Sequence, residues 1–139
     1  MISFLNYLFF YSYIGLVLLA GAWGAFAQPA LEFRHLLDMD LTLLDDQARV
    51  NLLSQYRFLR ALEMGFGLFG IWFSKEIFTI RKFNLLFLLI MGSGILARIT
   101  SWCMDGQANN WALFFLFYEA VGWIVITVFS VQKGIYNVG

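Results

Sequence analysis

The 139-residue chain is 61% apolar and 19% aromatic but only 13% charged, with a mean hydropathy of +0.75. Soluble domains run at about 45–50% apolar and about 25% charged, so this composition argues against a water-soluble fold and against disorder. Nine basic side chains balance nine acidic ones, which leaves no basic patch for nucleic acid. One cysteine, Cys103, excludes a disulfide scaffold and a cysteine-built zinc site, and one histidine, His35, excludes a bis-histidine haem or a two-histidine metal box. No metal or cofactor is expected.

The first predicted element, Phe4 to Ala27, lies wholly before the first charged residue, Glu32. About 20 residues suffice to cross a hydrocarbon core of roughly 30 Å, so this is a crossing. Ala25-Phe26-Ala27 before Gln28 resembles a signal-peptide cleavage site, but the stretch has no Lys or Arg and its apolar run is too long for a signal. Pro29 stops the helix. In the connection from Gln28 to Asn51, the residues Leu31, Phe33, Leu36, Leu37 and Met39 predict a short segment lying at the membrane interface. Thr42 followed by Asp45 resembles a capping start, so the second helix is expected to begin near Leu43.

Three further crossings are predicted at about 55–74, 83–103 and 111–131. Eleven uncharged residues separate Glu63 from Lys75, and fifteen separate Lys82 from Arg98. Neither stretch spans alone at 1.5 Å per residue, so the second helix must include Glu63 and Arg60, and the third must include Arg98. Glu119 interrupts the fourth. The expected fold is a single all-α domain, an antiparallel four-helix membrane bundle. Lys75, Arg81, Lys82 and Lys133 on one side place both termini in the cytoplasm of what reads as a bacterial inner membrane.

Gly65-Phe66-Gly67-Leu68-Phe69-Gly70 matches the dinucleotide fingerprint by letter but lies in an apolar span, with Leu85 where an acidic residue is required. It reads as small residues that let helices pack closely. Ser101 and Cys103 have no histidine nearby in sequence, and no nucleophile–base pair is visible, so the chain leans away from an enzyme. The five tryptophans mostly fall near helix ends as interfacial belts, Trp123 lying deeper.

The intramembrane charges carry the functional expectation. Measured from the cytoplasmic helix ends at 1.5 Å per residue, Glu63 lies about 18 Å deep, Glu119 about 21 Å, Arg60 about 22 Å and Arg98 about 24 Å. Arg57, at about 27 Å, reaches the interface by snorkelling. A charge at a helix centre costs about 2.5–3.5 kcal/mol on insertion scales, so Arg60 and Glu63 are expected to meet partners on Arg98 and Glu119. Tyr56, Arg60, Glu63, Gly67 and Gly70 share one helix face. So do Gly94, Arg98, Ser101 and Asp105, and likewise Phe115, Glu119, Gly122 and Ile126, with Tyr118 beside Glu119. Glycine on the cytoplasmic side of each cluster predicts tight packing at one end and a polar chamber at the other.

Arg60 with Gly65 and Gly67, then Arg98, Ser101, Asp105 and Gly106, then Glu119, together resemble a family of small bacterial four-helix membrane proteins. That family is classed as a domain of unknown function and related to the DoxX-like proteins. The resemblance runs from Pro29 to about Phe129. It departs at Glu63-Met64-Gly65, where an aromatic residue and two glycines are usual, and near Asn109, where a proline is. It implies Arg60, Arg98 and Glu119 as the main site residues and imports no activity.

Two readings of the charges stand side by side: ion pairs that merely hold helices in register, or a chamber that binds a ligand. On the second, the protein binds a membrane lipid or other amphipathic small molecule without catalysis. Arg60, Arg98, Glu119 and Glu63 would form the polar wall, and Tyr56, Tyr118 and Ser101 would add hydrogen bonds. Alternatives are an accessory subunit of a larger membrane complex, a homo-oligomer, and a quinone-linked or proton-coupled protein with Glu119 as proton carrier.

Overall fold

A computed structural model describes residues 1–136. These form helices α1 (Ile2–Phe26), α2 (Pro29–Leu36), α3 (Asp46–Trp72), α4 (Ser74–Ile77), α5 (Arg81–Asp105) and α6 (Asn110–Gln132), with a 3-10 turn at Leu41–Leu43. The described residues contain no strand. Three helices, α1, α5 and α6, are long and apolar enough to cross a membrane. The protein is accordingly an all-helical integral membrane protein. The chain divides into two compact units, one built from Met1–Tyr13 with the residues from Phe69 onward, the other from Ile14–Leu68.

Local sequence sets the helix ends. α1 runs without charge to Phe26, and Pro29 then opens α2 at the one position where its missing N–H costs nothing. Glu32 in the first turn of α2 and Arg34 and His35 in the last complement the helix dipole. Asp38 takes the left-handed conformation, with φ 52°, that a short polar residue tolerates after a helix end.

The start of α3 differs from the sequence expectation. Thr42 does not open it. The Asp40 carboxylate caps the 3-10 turn, accepting from the Thr42 backbone N–H at 2.9 Å and its hydroxyl at 2.8 Å. Asp45 then caps α3, accepting from the Ala48 N–H at 2.9 Å. Two acidic residues within five positions give the chain two separate capping options, and both are used.

In the unit formed by Ile14–Leu68, α1 and α3 approach through glycine. A Cβ on Gly21 would lie 2.5 Å from the Met64 backbone nitrogen, and one on Gly67 would lie 2.8 Å from the Leu18 Cβ. Gly65 meets nothing within 4 Å. Of the glycine motif, then, Gly67 serves close packing and Gly65 does not.

In the other unit, Phe10, Ile77, Phe87, Met91 and Ile126 are fully buried. The Phe10 ring sits 4.8 Å from Phe78 and 5.2 Å from Phe87. Asn84 donates to the Ile77 carbonyl at 3.0 Å and to Ser130 Oγ at 2.8 Å, joining α5 to α6, and Tyr136 donates to its side-chain oxygen. The Asn6 side chain is buried here and makes no hydrogen bond among the described residues. Trp123 is no belt residue: its indole N–H donates to the Leu88 carbonyl at 2.9 Å, and Gly92 makes room for its ring. Gly122 packs on Met91 and Phe9, whereas Gly94, expected on the packed face, meets nothing within 4 Å.

Two charge clusters and an open cleft

Each unit holds one cluster of the candidate charges. In the unit of Ile14–Leu68, Arg60 pairs with Glu32 at 2.9 Å and with Glu63 at 2.5 Å. Its Nε and Nη2 also donate to the Tyr56 hydroxyl, at 2.9 and 2.7 Å. Tyr56 in turn donates to Glu32 and packs its ring 4.5 Å from Phe33. The Arg60 and Glu32 side chains are 17% and 10% exposed, so the network is largely shut from solvent.

Arg60 finds partners on α2 and on its own helix. Glu32 is not among the residues that the sequence singles out, because it lies in the connection from Gln28 to Asn51, outside the predicted crossings. The unpaired excess of Arg57 and Arg60 over Glu63 on one helix was the signal that a further acid was needed. Arg57 does not simply snorkel. It donates to the Ala25 and Ala27 carbonyls at 2.7 and 3.3 Å, satisfying the acceptors left open at the C-terminus of α1. A Cβ on Gly24 would lie 2.5 Å from the Arg60 side chain, so that glycine gives the guanidinium its path.

The second set joins α5 to α6. Arg98 grips Glu119 side-on, Nε to Oε2 at 3.1 Å and Nη2 to Oε1 at 3.4 Å. Nη1 is left outside the pair. Arg98 is 41% exposed and Glu119 13%. Arg98 and Ser101 line a cleft of about 110 Å³ whose other walls are Trp102, Ala108, Ala112, Leu113 and Leu116. Arg98 and Ser101 thus bring polar groups to a hollow whose other walls are mostly apolar. Tyr118 stands apart from it in role. Its hydroxyl and that of Ser12 share a hydrogen bond of 2.5 Å, and its ring stacks on Phe114 with centroids 6.3 Å apart.

Outside the spans, the two Thr42 donors hold the Asp40 carboxyl below its usual range, the backbone N–H contributing most. Burial pushes the Tyr136 hydroxyl up. Among the described residues, no group of three or more His, Cys, Asp or Glu could hold a metal ion. Cys103 is exposed and unbridged.

No curated protein and no solved structure matches the chain. A family model does, over residues 7–130. That stretch takes in both charge clusters and the cleft, and the chain belongs to the family described as domain of unknown function DUF4345.

Proposed function

We propose that the protein crosses a bacterial inner membrane four times, with both termini cytoplasmic, and holds a membrane lipid or other amphipathic small molecule at the α5–α6 cleft without catalysis. The fourth crossing is α3. Its 27 residues reach about 40 Å as a helix, and its Arg57, Arg60 and Glu63 have partners that offset the cost of burial. On this reading α2 lies at the interface, with Leu31 and Leu37 exposed toward lipid.

The observation that carries the ligand reading is the state of Arg98. Glu119 fixes its guanidinium through one edge and leaves Nη1 outside the pair, and Arg98 lines a cleft whose other walls are mostly apolar. Arg60 is instead consumed by the Glu32–Tyr56–Glu63 network, which reads as a fastening. Mass spectrometry of the gently extracted protein tests this. A lipid should accompany the native chain and be lost in Arg98→Ala, with the helical circular dichroism unchanged. Equal lipid retention in Arg98→Ala would refute the assignment.

An accessory role on a larger membrane complex is favoured by one observation: from Ser93 to Asp105, every residue of α5 except Ile95 is exposed. That reading predicts that the native chain leaves the membrane as part of a larger assembly, and that large exposed-face substitutions such as Leu96→Trp release it.

A further inference from the structure

The outward end of the α5–α6 pair carries an unbalanced charge. Arg98 and Glu119 form an ion pair. Asp105, seven residues beyond Arg98 and on the same face of α5, is exposed and forms no ion pair among the described residues. No Lys or Arg lies between Ile99 and Gln132. Of Arg98, Glu119 and Asp105, it is the Asp105 carboxylate that is left without an ion pair among the described residues. A purely anionic head group would add a second uncompensated negative charge at the edge of a low-dielectric region.

Donors are nevertheless present. Arg98 Nη1 lies outside its ion pair, and Ser101, one turn farther along α5, lines the same cleft. They call for an acceptor oxygen, while Asp105 calls for a cation farther out. Trp102, also lining the cleft, offers an indole face for the same positive end. Counted from Lys82, Arg98 stands at about 24 Å, Ser101 at about 29 Å and Asp105 at about 35 Å. These levels bracket the edge of a hydrocarbon core of roughly 30 Å, with the flexible arginine able to reach outward.

We propose that the cleft selects a zwitterionic phosphodiester head group bearing an ammonium. The phosphate oxygens accept from Arg98 Nη1 and the Ser101 hydroxyl, and the ammonium lies toward the Asp105 carboxylate. The inference rests on the lipid-binding reading above and narrows it to one class of phospholipid.

The test is titration of the full-length protein in detergent micelles, read by native mass spectrometry. The probes are dioleoyl phosphatidylethanolamine, dioleoyl phosphatidylglycerol and water-soluble glycerophosphoethanolamine. Phosphatidylethanolamine should bind on the order of tenfold more tightly than phosphatidylglycerol, the size of one partly screened carboxylate–ammonium contact. Asp105→Asn, an exposed change, should bring the two lipids to near parity, and Ser101→Ala should weaken both. Phosphatidylglycerol binding as tightly as phosphatidylethanolamine in the native chain would overturn the head-group assignment and leave the lipid reading standing. Saturable binding of neither lipid, or binding indifferent to both Ser101→Ala and Arg98→Ala, would overturn the lipid reading itself. Glycerophosphoethanolamine binding as well as the lipid would show that the cleft takes a free solute and defeat the phospholipid assignment.

Discussion

At the level of single residues, glycines fall into two kinds that look identical in sequence. Gly21 faces the α3 backbone, where a Cβ would come to 2.5 Å of the Met64 nitrogen and 2.8 Å of the Arg60 carbonyl oxygen. Backbone cannot step aside as a flexible side chain does. Gly21→Ala should therefore destabilise the protein by about 1–3 kcal/mol, the usual cost of overpacking. Gly65→Ala, in open space on α3, should be neutral or gain up to about 1 kcal/mol from better helix propensity. Unfolding in mixed micelles measures both. A loss at Gly65 matching that at Gly21 would mean that the contacts are misassigned. The sequence singled out Gly65, Gly67 and Gly70 as a run and did not single out Gly21 or Gly24. Spacing identifies small residues on one face, but only the approach of a second helix says which face is met.

At the level of elements, α2 is fastened to α3 by a polar tie rather than by apolar area alone. Glu32 is buried, accepts a hydrogen bond from the Tyr56 hydroxyl and shares the Arg60 guanidinium with Glu63. Removing it leaves Tyr56 without its acceptor and Arg60 with Glu63 still beside it, in a largely closed cluster where the loss stays below the roughly 3–5 kcal/mol of a fully uncompensated buried charge. Glu32→Ala should thus cost well over Asp45→Ala, which removes only an exposed helix cap worth about 1 kcal/mol. A Glu32→Ala cost no larger than that of the cap would reduce the network to a surface pair. The need for compensation was legible in the crowding of Arg57, Arg60 and Glu63 on one helix. Its source was not, because a partner 28 residues away (from Arg60 to Glu32) is set by how the connection folds back, and no local rule states that.

For the whole molecule, the decisive question is whether α3 crosses. Four crossings put the loop around Thr79 in the cytoplasm and Cys103 at the outer edge. Three would put that loop outside. Labelling intact cells with a membrane-impermeant maleimide distinguishes them. Cys103, exposed at the end of α5, should react from outside. Thr79→Cys in a Cys103→Ser background should react only after the cells are opened. Reaction of the Thr79 site in intact cells would overturn the topology of four crossings with both termini in the cytoplasm.

What the amino-acid sequence determined by itself is the solvent and the elements. An uncharged stretch before Glu32, Pro29 as a stop and long apolar runs toward the C-terminus dictate membrane helices, because hydrocarbon leaves the backbone no other way to satisfy its hydrogen bonds. It also set the expectation that Arg60, Glu63, Arg98 and Glu119 would each need a partner if buried in a span, since solitary intramembrane charge is too costly. The tertiary structure alone decided who pairs with whom. Arg60 went to Glu32 and Glu63, Arg98 to Glu119, and Tyr118 to Ser12. Helical depth fixes a residue's level to within an ångström or two, but two charges at one level can meet only if rotation and neighbour order bring their faces together. Those are properties of packing, which hydropathy and spacing do not encode.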